Sequence, residues 1–276
     1  QHQRLHKFGS NPVDPFSYRE IAEYAWQLAA RYGSKKYPST EIKVNQTPRW
    51  NGDPINEPKS GLTLIKYLEL ENEPDRPWNS DLLKYTPEQF AALLSALWDG
   101  HEGRLGRYAG IKNADPNLKL VMSGLSSINL SYLDRMITWF KTNRSDKRIC
   151  LDVANFHRYC NIKNPTNSPD IDLWEGRGIS PEDDKLEGLL KEMVLYCKKN
   201  LPIGTEVWFS EYGYDTQPPS TVLSQYAKPY GIHTSEELQG QWILRTYLYS
   251  LSSGVDKSFM FNLCDENSAT QGYCFG

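Results

Sequence analysis

From residue 62 onward, short β-rich apolar runs alternate with amphipathic helical patterns. That alternation limits the chain to a fold of βα units around a parallel sheet. The runs are Leu62–Leu70, Leu118–Ser123, Cys150–Phe156, Glu206–Ser210 and Lys257–Leu263. Helices are expected from Thr86 to about Trp98, through Leu133, Trp139 and Phe140, from Ser180 to about Asn200, and from Ser235 to about Leu251. Thr86, Pro87 and Gln89 form a capping-box start with proline at the first helical position. Ahead of the first run lies one strong helix pattern, Tyr18–Arg31, with Gly33 as its stop and a polar, Pro- and Gly-containing loop over 34–61. Trp26, Trp139 and Trp242 fall on helix patterns and are expected in the core. The chain reads as a single domain over residues 1–276.

A closed eight-stranded α/β barrel needs eight such units, and five clear strands are visible. Two readings stay open. In one, N-terminal βα units lie outside this sequence, and that missing segment of the same barrel is itself an expected partner. In the other, five or six strands form an open doubly wound sheet.

Composition narrows the function. The net charge is −3 over 276 residues and the basic residues are scattered, so a nucleic acid or an acidic membrane surface is not an expected partner. No run approaches the ~18 apolar residues of a membrane span. The chain starts at Gln1, so either a leader has been removed or it is a piece of a longer chain; a secreted or periplasmic location is expected. Five cysteines leave at least one unpaired, and Cys264 with Cys274 can be read as a bridge or as two free thiols. A phosphate loop, a dinucleotide fingerprint and a nucleophile elbow are all missing from the sequence, and His101-Glu102 lacks the second histidine of a zinc-protease helix. Neither a metal site nor a cofactor is expected.

In parallel α/β folds the chemistry sits at the C-terminal ends of the strands. Here the first run ends in Glu71-Asn72-Glu73-Pro74-Asp75, the third in Asn155-Phe156-His157-Arg158-Tyr159, and the fourth in Ser210-Glu211-Tyr212-Gly213. Three strand ends thus deliver carboxylates, an amide, an imidazole and a phenol to one rim. A facing pair of carboxylates, one protonated and one ionised, suits glycosidic bond cleavage. Glu73 and Glu211 are 211 − 73 = 138 residues apart, on strands that an eight-stranded barrel would place nearly opposite each other. Each residue also has an ordinary alternative: exposed strand-end carboxylates, a structural His157, a packed Tyr159, Asn72 as a loop cap.

The Asn72-Glu73-Pro74 triplet, His157-Arg158-Tyr159 and Trp208–Tyr212, in that order, resemble clan A glycoside hydrolases, with most likeness to family 39-type or family 5-type members. The resemblance covers about residues 18–276. It implies a (β/α)8 TIM barrel, of which strands four to eight and the preceding helix are visible, and a retaining β-glycosidase or endo-glycanase acting on a poly- or oligosaccharide. It further implies Glu73 as general acid/base and Glu211 as nucleophile. Asn72 would bind the sugar 2-hydroxyl, Tyr159 would orient the nucleophile, and His157 would line the subsite. Many members carry a Trp at the end of the eighth strand, where this chain reads Asn262-Leu263-Cys264-Asp265-Glu266. Trp78, Trp174 or Tyr214 is therefore expected to supply the stacking face, with Asp265 as a further substrate contact. The competing reading is a non-catalytic carbohydrate-binding protein on a degenerate barrel. Exo or endo action, and oligomeric state, are not fixed by these residues.

Overall fold

The computed structural model describes residues 5–76, 83–162, 177–216 and 234–264. Helices α1 (Arg19–Tyr32), α2 (Pro87–Asp99), α3 (Ile111–Ala114), α4 (Leu130–Asn143), α5 (Leu186–Asn200) and α6 (Ser235–Ser252) alternate with short strands. These are β1 (Tyr67–Leu68), β2 (Lys119–Leu120), β3 (Val153–His157), β4 (Asn161–Ile162), β5 (Arg177–Gly178), β6 (Glu206–Glu211) and β7 (Lys257–Ser258). The fold class is α/β with parallel strands: β1 pairs with β2 and β6 with β7 in parallel. β4 and β5 add an antiparallel pair outside the alternation.

The chain divides into two compact units. The first comprises 1–70, 85–122 and 131–153. α1, α2 and α4 form where expected, and α3 is a short helix that the sequence pattern does not mark. α2 carries the full capping box, with Thr86 and Gln89 each accepting the other's backbone N–H, and Gly100 ends it in the left-handed region. Ala22, Ala25, Trp26 and Ala29 of α1 are buried. Small residues on that face let α1 and α2 pack closely. Trp139 is buried on α4.

The first strand is shorter than the apolar run 62–70 suggests, and backbone bonding explains why. Gly61, Leu62, Thr63 and Leu64 donate their N–H groups to the carbonyls of Ala30, Arg31, Gly33 and Tyr32. The start of the run therefore satisfies the open carbonyls at the C-terminus of α1. Only Tyr67 and Leu68 remain for the ladder, paired with Lys119 and Leu120.

The second unit comprises 71–84, 123–130 and 154–276. Its sheet has the order β3-β6-β7. β3 is buried throughout, as expected of a strand covered on both faces. Leu125 bridges Phe156 in parallel, which lays the segment 124–126 along β3. α5 starts later than the Ser180-Pro181 pair suggests from sequence. Ser180 Oγ instead accepts the Asp183 N–H at 3.1 Å in a tight turn, and the helix begins at Leu186. α6 opens with a second capping box, Thr234 and Glu237. Trp242 on α6 is buried. Cys150, Cys160 and Cys197 are buried thiols and Cys264 is exposed and unbridged. Cys274 lies outside the described residues. Among the described residues, no helix is long and apolar enough to cross a membrane.

Candidate active site

The second unit brings Glu73, His157, Tyr159 and Glu211 together. β3 ends in His157 and β6 ends in Glu211, so two adjacent strands deliver an imidazole and a carboxyl to the same edge. Arg158 N–H donates to the Glu211 carbonyl at 3.0 Å, which fixes the two strand ends in register. The Arg158 side chain is anchored away from the cluster on Asp184, with Nε 2.6 Å from Oδ2. Glu73 arrives from a turn instead. Its N–H donates to the Gly124 carbonyl at 3.0 Å and its φ is +46°. A non-glycine residue held in the left-handed region carries backbone strain, of the kind that gathers at functional sites.

His157 is the hub. Its Nδ1 lies 2.8 Å from Glu73 Oε1 and 3.4 Å from Glu211 Oε2, and its Nε2 lies 3.1 Å from Ser210 Oγ. One oxygen of each carboxyl and one imidazole nitrogen all fall within 4.8 Å of one another. The ring reaches this position only because residue 124 is glycine. A Cβ there would sit 2.0 Å from His157 Nε2. The Tyr159 hydroxyl donates to Glu211 Oε1 at 2.5 Å.

The two carboxyls differ in surroundings. Glu73 is 5% exposed. Burial, with help from the negative charge of Asp75 and opposed by Arg76, raises its pKa to about 8. It therefore carries a proton near neutral pH. Burial also raises Glu211, and its Glu73 neighbour adds to this, but His157 and the Tyr159 hydroxyl pull it back. Tyr159 itself is held well above its ordinary value, by burial first and by the Glu211 charge second, so it stays an O–H donor. Nδ1 lies within hydrogen-bond reach of Glu73 and Nε2 of Ser210, the direction of each bond following the tautomer of the ring.

Glu73, His157 and Glu211 are also, among the described residues, a group whose donor atoms could close around a metal ion. Binding one would require the buried proton of Glu73 to leave, so metal uptake there competes with protonation.

Other expected site residues fall elsewhere. Asn72 is exposed, one position before Glu73, and its carbonyl accepts from Arg76 Nε at 3.0 Å. Tyr214 does not offer a stacking face. It is 1% exposed, its ring meets Trp242 at 5.2 Å, and its hydroxyl bonds Thr246 Oγ1 at 3.0 Å. Trp78, Trp174 and Asp265 lie outside the described residues. Three groups at the site were not singled out from sequence: Gly124, Ser210 and Asp75. Asp75 is buried and accepts from Ser126 N–H at 2.8 Å and from Ser126 Oγ at 3.0 Å.

No protein-family model matches the sequence, and no curated relative matches it. Among solved structures, a glucosidase from Croceicoccus marinus aligns over 91% of this chain at 14% identity, with a TM-score of 0.45. One of two fungal beta-1,4-galactanases aligns over 94% at 14% identity and 0.45, and the Faecalibacterium prausnitzii beta-glucuronidase over 78% at 17% and 0.44. These neighbours are glycosidases by name. The chain spans 47%, 62% and 29% of their respective lengths, less than two thirds of each. The functional assignment falls to the chain's own side chains.

Proposed function

We propose that this chain carries the catalytic carboxyls of a glycoside hydrolase that cleaves β-glycosidic bonds with retention, on a (β/α)8 barrel framework. One observation carries the reading. Two carboxyls approach within 4.8 Å through a shared imidazole, one buried with a proton and the other half-open with a hydroxyl donor. Retaining enzymes hold their carboxyls about 5–5.5 Å apart, and inverting enzymes leave about 6.5–9.5 Å for a water. An approach of one oxygen of each carboxyl to within 4.8 Å fits the closer arrangement, on which the proposal of retention rests.

In this mechanism Glu211 attacks the anomeric carbon as Glu73 gives its proton to the leaving oxygen. The covalent glycosyl-Glu211 then reacts with water, and Glu73, now ionised, takes the water's proton. Tyr159 keeps one Glu211 oxygen hydrogen-bonded, which aims the other at the sugar. His157 spans both carboxyls and, through Ser210, keeps a fixed ring orientation. Exposed Asn72 stands beside the acid, where its amide can meet a sugar hydroxyl. A carbohydrate is the substrate class and the steps use side chains alone.

The test is hydrolysis of a panel of aryl β-glycosides and β-linked oligosaccharides by the intact protein, with the anomer of the first product read by NMR. Release of the β-anomer is expected. An α-anomer would overturn retention, and tight binding without turnover would overturn the enzyme reading in favour of a carbohydrate-binding protein.

A further inference from the structure

The long loop after α1 borders a groove that the proposed chemistry leaves unused. α1 buries its small residues, and its other face shows Glu23 and Tyr24 exposed with Gln27, Leu28 and Arg31 half-buried. The loop is pinned along that face. Gln27 holds it with both ends of one amide: Nε2 donates to the Glu41 carbonyl at 3.0 Å, and Oε1 accepts the Lys43 N–H at 2.9 Å. Arg31 donates to the Glu57 carbonyl at 2.6 Å, and Asn56 Nδ2 ties the returning chain to the Asn45 carbonyl at 2.9 Å. Between helix and loop lies a groove of about 710 Å³, which Tyr108 also lines. That volume falls within the ~300–1,000 Å³ of small-ligand sites. All of these residues belong to the first unit, whereas Glu73, His157, Tyr159 and Glu211 belong to the second.

We infer that this groove is a second carbohydrate-binding site, which takes a stretch of neutral oligosaccharide. Three features of its lining point to that class. Its charges balance, Glu23 and Glu41 against Arg31 and Lys43, so neither a phosphate nor a polyamine is favoured. Its aromatic walls are open: Tyr24 is 56% exposed and Tyr108 40%. The face of an aromatic ring is electron-rich and receives the weakly positive C–H groups of a sugar ring. The Arg107 guanidinium covers one face of Tyr108, 4.3 Å from the ring centre, which leaves Tyr24 as the principal platform. Finally, Glu41 Oε2 is buried and finds no hydrogen-bond partner among the described residues, while Oε1 already accepts from Arg107 at 3.1 Å. A buried carboxylate oxygen left unpaired is costly, and a hydroxyl arriving in the groove supplies the donor. Sugar hydroxyls both donate and accept, which suits carboxylates set beside the amides of Asn45 and Asn56. The inference goes beyond the proposed hydrolysis and does not depend on it.

The experiment is a methyl NMR titration of the intact protein, with Leu28 and Val44 as reporters in the groove, assigned through Leu28→Ile and Val44→Ile. The probes are cello-, laminari- and galacto-oligosaccharides, with spermidine and inorganic phosphate as the charged alternatives. At least one oligosaccharide should shift both reporters along a saturable curve. Tyr24→Ala should weaken that binding about tenfold, and Tyr24→Phe, which keeps the ring, should restore it. Glu41→Ala should weaken it severalfold. Tyr24 is exposed, so its replacement leaves the fold intact. Silence of both reporters with every oligosaccharide would overturn the inference, as would binding that Tyr24→Ala leaves unchanged. A response to spermidine or phosphate alone would overturn the ligand class. Repeating the titration in Glu211→Gln keeps the probes whole under the proposed mechanism. A filled groove without turnover would condemn only the hydrolase reading, and turnover with silent reporters would condemn only the second site.

Discussion

The turn that carries Glu73 and the strand end that carries Glu211 present the same side chain in two different ways. Glu211 is the last residue of a regular strand, its backbone held by Arg158 and its carboxyl 21% exposed. Glu73 is a left-handed turn residue, its backbone held by Gly124 and its carboxyl 6% exposed. Burial pushes both upward. Glu211 has a hydroxyl donor and an imidazole to restrain the shift, whereas a neighbouring carboxylate pushes Glu73 further. A strand end suffices to aim a nucleophile that must meet a substrate. Holding a proton on a carboxylic acid requires taking it out of water, and here that is done by a strained turn folded beneath a glycine loop.

The sharpest way to break this division of labour is to exchange each carboxyl for its amide. Glu211→Gln removes the attacking oxygen from every substrate, and turnover should fall by at least ~10³-fold whatever the leaving group. Glu73→Gln should lose as much on alkyl glycosides, whose leaving oxygen needs a proton. On aryl glycosides with an acidic phenol the first step no longer needs the acid, so a burst of phenol should precede slow hydrolysis of the intermediate. Stopped-flow detection of the phenol checks both. A burst in Glu211→Gln, or equal losses on both substrate classes in Glu73→Gln, would reverse or erase the roles.

A smaller effect should follow on the Glu211 side alone. Tyr159→Phe deletes the 2.5 Å donor to Glu211 Oε1. A hydrogen bond to a charged group contributes about 1.5–3 kcal/mol, so kcat/KM should drop roughly 10- to 100-fold. Without the donor Glu211 is harder to ionise, and the acidic limb of the profile should move up while the alkaline limb stays. An unchanged acidic limb would show that Tyr159 packs rather than tunes.

Much of this arrangement is legible in the sequence. The βα alternation locates β3 and β6, whose ends carry His157 and Glu211 with Tyr159 just beyond, whereas Glu73, expected at the end of the first strand, lies in a turn five residues past β1. The Thr86–Gln89 capping box and the buried tryptophans follow from local patterns in the same way. What is not legible depends on contacts between distant segments. Gly124 lies in an unremarkable stretch, and only the packed His157 ring shows why a side chain is excluded there. Asp75 resembles any polar residue after a strand until Ser126, 51 positions later, closes on it. The strand starting at Leu62 reads longer than it is because the competing partner, the end of α1, is invisible to periodicity. Tyr214 follows a strand end, yet α6 covers it with Trp242.

The gentlest test separates the two carboxyls through stability. Glu73 titrates at about 8 in the folded protein against an ordinary 4.5, so the folded chain keeps a proton that the unfolded chain has released. Below about pH 4.5 both states hold it and its favourable contribution is complete; between about 4.5 and about 8 that contribution is lost as the pH rises; above about 8 nothing further changes. Glu73→Gln mimics the protonated acid and has no such dependence. The stability of the wild type relative to Glu73→Gln should therefore fall with pH by up to ~1.4 kcal/mol per pH unit within that window. Urea unfolding at about pH 5, 6, 7 and 8.5 measures it. Glu211→Gln, whose parent carboxyl is partly restrained by Tyr159 and His157, should show a shallower relative slope. Parallel curves for wild type and Glu73→Gln would mean that the buried turn does not hold a proton, and the contrast between the turn and the strand end would collapse.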